Sequence, residues 1–436
     1  MADARYLEVN RSQLSWDLVD LESLLPADHR ARQVWGFAEG LDLGSFYEAI
    51  RSREGHAGRP PADPRVLLAL WLYATLEGVG SARQLARLVE YDIAYRWLAG
   101  GVPVNHHGLS DFRVGWTDEL DRLLTESVTS LVDAGLVSLD ELAIDGTKIR
   151  SPASARSFTR GGRLDRIERA AAERVAKLKA EVESDPAAGN RRRQAAIERA
   201  TRESQAKVDK ARKSLEQLRG EKKKRKKTHP KAEKEKDAPA VSLTDPEARR
   251  MRFPDGAMRP AYNLQTVAVP EVGLIVSVQA TDRRNDKGLA KPMIDAVVDR
   301  YGRAPARLLL DEGYVSAGDV EALARPDADN RKTLVYMPVP AEKPEEELTP
   351  KSRSNRRWKR KREPEAVQEW RQRMQTDEAK DIFGRRKLIE LTHAHYKNRG
   401  LGRLTVRGMA KAQAVALWHA LAVNLTVIRR LIPQPA

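Results

Sequence analysis

Residues 377–397 read DEAKDIFGRRKLIELTHAHYK, and no other stretch limits the fold as much. The spacing predicts one helix from Asp377 to Lys397. Phe383, Arg386, Glu390 and Lys397 stand at i, i+3, i+7 and i+14, which puts them on one face at 3.6 residues per turn. A plain core face would carry Leu and Val instead of an acid, two bases and an aromatic. Such a face looks onto a site. Two acids upstream end apolar runs: Asp145 closes LAID in ELAIDGTKIR, and Asp311 closes LLLD in ARLLLDEGYVS. A carboxylate at the end of a hydrophobic strand sits at the rim of a sheet, where ligands bind. Two strand-end aspartates and a helical glutamate can hold two Mg²⁺ ions, which take carboxylate oxygens. Two such ions roughly 3.5–4 Å apart drive in-line phosphoryl transfer.

Charge points the same way. The chain of 436 residues has a formal net charge of +16, a surplus that suits a polyanionic partner, by default DNA or RNA. Ribosomal and chaperone-like proteins share that surplus, so charge alone does not decide. The length suggests two or three domains. Cysteine is absent, which excludes disulfides, thiolate zinc sites and a Cys nucleophile and fits a reducing compartment. The first twenty residues lack the apolar core of a secretory signal. The most apolar stretch, 412–428, is interrupted by Gln413, His419 and Asn424 and reads as a buried helix, not a membrane span.

Along the chain, residues 1–137 read as a helical domain. Asp63 and Pro64 open the run VLLALWLYATL, Gly78 and Gly80 break it, and Ser81 with Gln84 forms a capping-box pair. Ser110 is expected to cap a third long helix through Leu131. Helix, glycine turn, helix is a helix-turn-helix pattern, which ordinary packing also produces. Residues 138–159 hold the Asp145 strand. Residues 160–240 are nearly all charge and alanine, with Leu164, Ile167, Ala171, Val175, Leu178 and Val182 stepping by 3 or 4 and Val208, Ala211, Leu215 and Leu218 resuming the step. That predicts a helical hairpin or coiled coil with a turn at 185–190, and KKKRKK at 222–227 reads as a solvated, mobile run. Residues 241–340 return to strands, with AYNLQTVAV and GLIVSVQAT forming a hairpin. A second charged insert covers 341–376, and 377–436 are the closing helices.

The ordered motifs resemble those of DDE transposases of bacterial insertion sequences. Asp145, Asp311 and Glu390 stand where that family has its triad, and Phe383-x2-Arg386-x3-Glu390-x6-Lys397 is similar to its Tyr-x2-Arg-x3-Glu-x6-Lys motif. DGTKI, AYNLQ, DEGY and the tail NRGLGRLTVRGMAKAQAVALWHALAVNL resemble further family segments. The chain departs from the pattern in Phe383, which lacks the phenolic oxygen, and in Leu391-Thr392-His393-Ala394 after the glutamate. The resemblance implies an α/β fold: an RNase H-like catalytic core, an all-helical N-terminal domain and a charged helical-hairpin insert. It implies two Mg²⁺ (or Mn²⁺) ions, with Asp145 bridging both and Asp311 and Glu390 each holding one. Arg386 and Lys397 would contact phosphates near the cut, and Lys148 and Arg399 are further DNA-binding candidates. The implied partners are the terminal inverted repeats and target DNA, the implied assembly is a homodimer or larger, and the implied place of action is the bacterial cytoplasm, on the nucleoid when DNA is bound.

Plainer readings stand beside these. Asp145 before Gly146 suits a turn, and Glu390 suits a surface ion pair with Arg386 at i−4. His393 reads as a packed or phosphate-facing histidine, Asp286 as a helix N-cap, and Tyr262, Asn263 and Gln265 as structural. A metal-dependent nuclease of the same fold that cuts without joining, and a non-catalytic DNA-binding descendant, are the rival functions. No glycine-rich phosphate loop occurs, so nucleotide hydrolysis is not expected.

Overall fold

Caps and apolar periodicity lay out the N-terminal helices. The computed structural model describes residues 20–52, 60–184, 191–228, 239–327, 330–342 and 344–432. In it α1 (Arg30–Glu39) and the short α2 (Gly44–Glu48) lead into α3 (Pro64–Leu76). Asp63 caps α3 by accepting from the Arg65 N–H at 2.7 Å, and Pro64 takes the first turn, where its missing N–H costs nothing. All of α3 except Arg65 and Leu67 is buried, so it forms the axis of the helical part. Ser81 Oγ accepts from the Gln84 N–H at 3.4 Å and opens α4 (Ala82–Tyr91). Then come α5 (Ile93–Ala99), α6 (His106–Gly115) and α7 (Thr117–Asp133). The single long helix expected from Ser110 is therefore two. Asn105, not Ser110, is the cap, accepting from the Gly108 N–H at 2.8 Å. Trp116, after Gly115, leaves the helical region at φ −122°, ψ 40° and breaks the run.

The first sheet strand is β1 (Glu141–Arg150). A two-residue strand β2 (Phe158–Thr159) follows, then the long helices α8 (Gly161–Ser184) and α9 (Arg191–Thr228), and β3 (Val241–Ser242), which pairs with β2. Leu164, Val208, Ala211, Leu215 and Val241 form a small core where α8 and α9 meet their base. That part of the seam is covered within one chain. Arg212 ties the helices together through Asp165 at 2.7 Å and through Glu168. The turn read at 185–190 lies outside the described residues. The basic run 222–227 belongs to α9, which continues as helix to Thr228.

The main sheet then resumes with β4 (Arg249–Arg252), β5 (Met258–Val269) and β6 (Leu274–Thr281). Pro270-Glu271-Val272-Gly273 makes the turn between β5 and β6, closing the hairpin expected from AYNLQTVAV and GLIVSVQAT. Helix α10 (Ala290–Tyr301), β7 (Arg307–Leu309), α11 (Ala317–Leu323) and β8 (Leu334–Tyr336) follow. Strand order is β4-β5-β1-β7-β8, with β6 also on β5. β1, β5 and β6 are antiparallel neighbours, while β7 and β8 run parallel to β1.

Beyond the sheet lie α12 (Pro350–Lys361), α13 (Glu365–Arg373), α14 (Asp377–Gly384), α15 (Lys387–Asn398) and α16 (Met409–Leu431). The one helix expected over 377–397 is thus broken. Around Gly384 the hydrogen bonds tighten to i→i+3, from Arg385 to Ile382 and from Arg386 to Phe383, a pattern that marks a joint between helices. Phe383 lies at the end of α14, and Arg386 stands in the joint ahead of α15.

Alternation along β1 and β7 sends side chains to two faces. Leu142, Ile144 and Leu308 join the large core shared with the N-terminal helices. Ala143 and Leu309 join a second, smaller core with Tyr336, Ala379 and Ile389, beneath α14 and α15. Helix α16 seals the β6 edge. Asn424 bonds both the N–H and the carbonyl of Ile275 at 2.7 Å, and Gln413 accepts from the Ala280 N–H at 2.7 Å and donates to the Val278 carbonyl at 2.8 Å. Two of the polar residues that interrupt the apolar run thus satisfy an otherwise open strand edge. By length and composition α16 is long and apolar enough to cross a membrane, but 72% of its apolar window is buried inside the protein.

Candidate active site

Parallel pairing fixes the two aspartates. Ala143 lies opposite Leu309, and Asp145 and Asp311 each follow two residues further on; Asp145 is not at a strand end as expected, because β1 runs on to Arg150 against β5. Asp145 shares the parity of Ala143, the face covered by α14 and α15. Asp311 has just left β7 and caps a single turn, Glu312–Tyr314, by accepting from the Glu312 N–H at 2.6 Å. Asp145 Oδ1 accepts from the Gly146 N–H at 2.9 Å. Its Oδ2 lies 3.3 Å from His393 Nδ1, and Arg386 Nη1 lies 3.7 Å from Oδ1. Burial opposes the charge on Asp145. The hydrogen bond to His393, the charges of His393 and Arg386 and the Gly146 N–H outweigh it and hold the carboxyl below its usual range.

Glu390 is on the facing helix but turned outward. It accepts from Arg386 Nη2 at 3.0 Å, with its side chain 59% exposed against 14% for Arg386. Arg386 therefore stands between Asp145 and Glu390. Phe383 is half-buried, and its ring centroid lies 6.0 Å from the Arg386 guanidinium, so the aromatic at this position backs the base even without a hydroxyl. Among the described residues no group of three or more His, Asp or Glu side chains is close enough to grip one ion. Glu390 turns away from Asp145, with Arg386 between them. Converging carboxylates repel one another unless a positive charge lies between them, and here that charge is the Arg386 guanidinium. As a donor set, three carboxylates are the hard oxygen ligands that Mg²⁺ or Mn²⁺ prefers.

Lys397 is exposed in the last turn of α15. Lys148 donates to the Arg252 carbonyl on β4 at 2.8 Å. Arg399 donates to Thr426 at 3.2 Å. Neither Lys148 nor Arg399 belongs to the group around Asp145. His393 does, as a buried neighbour of Asp145 stacked on Tyr396 with ring centroids 5.9 Å apart.

Asp286 departs from the sequence expectation. It does not cap α10, whose N-cap is Leu289. Its Oδ1 instead accepts from Asn263 Nδ2 and from Gln265 Nε2, each at 2.7 Å. Gln265 Oε1 in turn accepts from the buried Tyr314 hydroxyl. Gln265 pairs across strands with Gly146, and a Cβ on Gly146 would come within 2.5 Å of both Asp286 Oδ1 and Gln265 Nε2, so only glycine fits beside Asp145. Burial and then the fields of Asp286, Asp145 and Asp311 push the Tyr314 hydroxyl well above its ordinary pKa. Three acids thus surround one buried phenol. AYNLQ and DEGY carried the signal for this network.

These features define a mixed α/β protein with a helical N-terminal region, Asp145 within one strand, Asp311 just past its parallel neighbour, and Arg386 and Glu390 at the start of α15. Residues 19–114 match the family model described as Transposase domain (DUF772), and residues 228–425 match the one described as Transposase DDE domain. The chain belongs to the DDE transposases of insertion-sequence type. Asp311 and Glu390 lie within the second match, and Asp145 lies between the two, on the strand that α8 and α9 separate from the rest of the sheet. No curated protein and no solved structure matches the chain.

Proposed function

We propose that the chain binds the ends of an insertion sequence, cleaves phosphodiester bonds there and joins the 3′-hydroxyl ends to target DNA by in-line phosphoryl transfer. The observation that supports this reading is that Asp145 and Asp311 each stand two residues beyond the paired Ala143 and Leu309, with Arg386 between Asp145 and Glu390. The strand order β6-β5-β1-β7-β8, antiparallel through the first three and parallel after, supports an RNase H-like core.

Asp145, Asp311 and Glu390 would hold Mg²⁺ or Mn²⁺, which supplies activation of the attacking oxygen and stabilisation of the leaving one. The remaining work falls to the chain's own residues. Arg386 leaves Glu390 and places its fork on a phosphate next to the cut, and Lys397 adds a point charge. Asp286, Asn263, Gln265 and Tyr314 brace the backbone beside the two aspartates, at Gly146 next to Asp145 and in the turn that Asp311 caps. The helical N-terminal domain contacts DNA, and the active form is a homodimer or larger that pairs two ends in the bacterial cytoplasm.

A strand-transfer assay tests this. Purified protein, labelled duplexes carrying the inverted repeats that flank its coding region and a target plasmid should give joined product with Mg²⁺ or Mn²⁺. Cut ends with no joining would favour the nuclease reading, and binding without cutting would favour the non-catalytic descendant.

A further inference from the structure

The turn after α15 leans against the glycine turn after α3. A Cβ on Gly400, at φ +86°, would lie 3.1 Å from the Gly78 carbonyl, so this close approach requires glycine. Between the two turns, α6 and α16 lies a pocket of about 180 Å³, whose lining includes Ser81, Gln84, Arg113, Arg399, Arg403 and His419. No Asp or Glu lines it.

Arg113 is buried, at 7% exposure. It donates to the Gly80 carbonyl and to Thr405 Oγ1, and its guanidinium lies 4.7 Å from the Trp71 ring centroid. Among the described residues no carboxylate pairs with it. Burial alone pushes it down to about 10, which leaves it charged at neutral pH. Arg399 has one nitrogen, Nη1, buried with no hydrogen-bond partner, as is Nδ1 of the buried His419. Burial, then Arg113 and Arg399, push His419 down to about 3, so it is neutral. A buried positive charge is costly unless a counter-charge meets it. Glu77 acts on Arg399 but is paired with Arg30 at 2.9 Å and does not line the pocket, where Arg113 and Arg399, with the exposed Arg403, meet a polar space that holds no acid.

We propose that this pocket binds one phosphate group, gripped by Arg113, Arg399 and Arg403 with the neutral His419 as an added hydrogen-bond partner. It is separate from the acidic site. The turn is tied to the far end of β1, where the Arg150 N–H donates to the Gly402 carbonyl at 3.2 Å and the Leu404 N–H donates to the Arg150 carbonyl at 2.8 Å. Five residues of strand, roughly 17 Å, separate Arg150 from Asp145. The phosphate could come from a DNA backbone or from free inorganic phosphate; the chemistry of recognition is shared.

Thermal denaturation with inorganic phosphate against chloride at equal ionic strength tests the site without any catalysis, and so independently of the transposase reading. Arg113→Gln risks the packing on Trp71, so the variant is the double substitution Arg399→Gln/Arg403→Gln. Phosphate should raise the wild-type Tm by roughly 2–4 °C, and the double variant should lose the rise. The second arm is the salt dependence of duplex DNA binding. If the source is a backbone phosphate, the double variant lowers the log–log slope by about 0.9 for each phosphate it no longer neutralises; an unchanged slope beside an abolished phosphate response assigns the site to the free anion. The proposal is overturned if phosphate stabilises wild type and variant equally, or if neither phosphate nor the slope responds.

Discussion

Arg386 donates to Glu390 at 3.0 Å and so holds the helical carboxylate at the surface, away from Asp145. An i, i+4 pair whose acid is exposed to this extent is worth on the order of 0.5 kcal/mol, so a divalent ion can displace it. Arg386→Gln should tighten Mn²⁺ binding by a few-fold, read by calorimetry or electron paramagnetic resonance, and slow DNA cleavage ~100-fold because the phosphate beside the cut is no longer gripped. Weaker Mn²⁺ binding in the variant would show that Arg386 does not compete for Glu390.

Asp286 works through hydrogen bonds to Asn263 and Gln265. Asp286→Ala leaves two buried amides unpaired and frees Gln265 to flip away from Tyr314. Cleavage should fall roughly 10–100-fold, the usual cost of losing a group that orients metal-site residues. Asp286→Asn keeps an acceptor oxygen and should recover activity to within a few-fold. Equal loss in both variants would mean that the charge, not the hydrogen bonds, matters there.

His419 sets a limit on acid stability. Its folded-state pKa, about 3, lies below its ordinary 6.5, so between those values the unfolded chain binds the extra proton. The stability it supports is complete above about pH 6.5 and falls as pH drops toward 3, by up to roughly 1.4 kcal/mol per pH unit. The groups facing it are Arg113, Arg399 and the edge of Tyr396. His419→Gln should flatten the pH dependence of urea denaturation in that window. An unchanged slope would contradict the burial of a neutral imidazole there.

DNA affinity should fall steeply with salt, because phosphates neutralised by Lys and Arg release counterions. Replacing the lysines and arginines of 222–227 by glutamine should reduce the slope if the end of α9 touches DNA. A flat salt dependence of the wild type between low and moderate salt would refute electrostatic binding despite the net charge of +16.

Local chemistry made several features legible in the sequence. LAID and LLLD are apolar runs stopped by a charge, but only Asp311 follows the end of its strand; Asp145 lies midway along β1, which runs on to Arg150 against β5. Asp63-Pro64 and Pro-Glu-Val-Gly are punctuated by residues whose backbone preferences leave few choices. The break between α14 and α15 was not legible, because the Phe383 to Lys397 spacing also fits an unbroken helix and a single Gly384 is tolerated inside one. Ser110 misled because a serine can also sit within a helix; Asn105 caps α6 more than a turn earlier, which leaves Ser110 in its interior. Asp286 and Arg113 were invisible for a different reason. Their partners stand 21 to 292 residues away, and no periodicity reports on contacts made by folding.

The central claim is that Asp145, Asp311 and Glu390 act as one metal-binding set. The direct measurement is cleavage of a labelled transposon-end duplex by Asp145→Asn, Asp311→Asn and Glu390→Gln, with DNA binding followed in parallel by gel shift. Each amide keeps the side-chain shape and removes the charge that Mg²⁺ requires. All three variants should bind the duplex about as well as wild type, and none should cut it above background. A variant that cuts at the wild-type rate would remove its residue from the set and contradict the shared metal site.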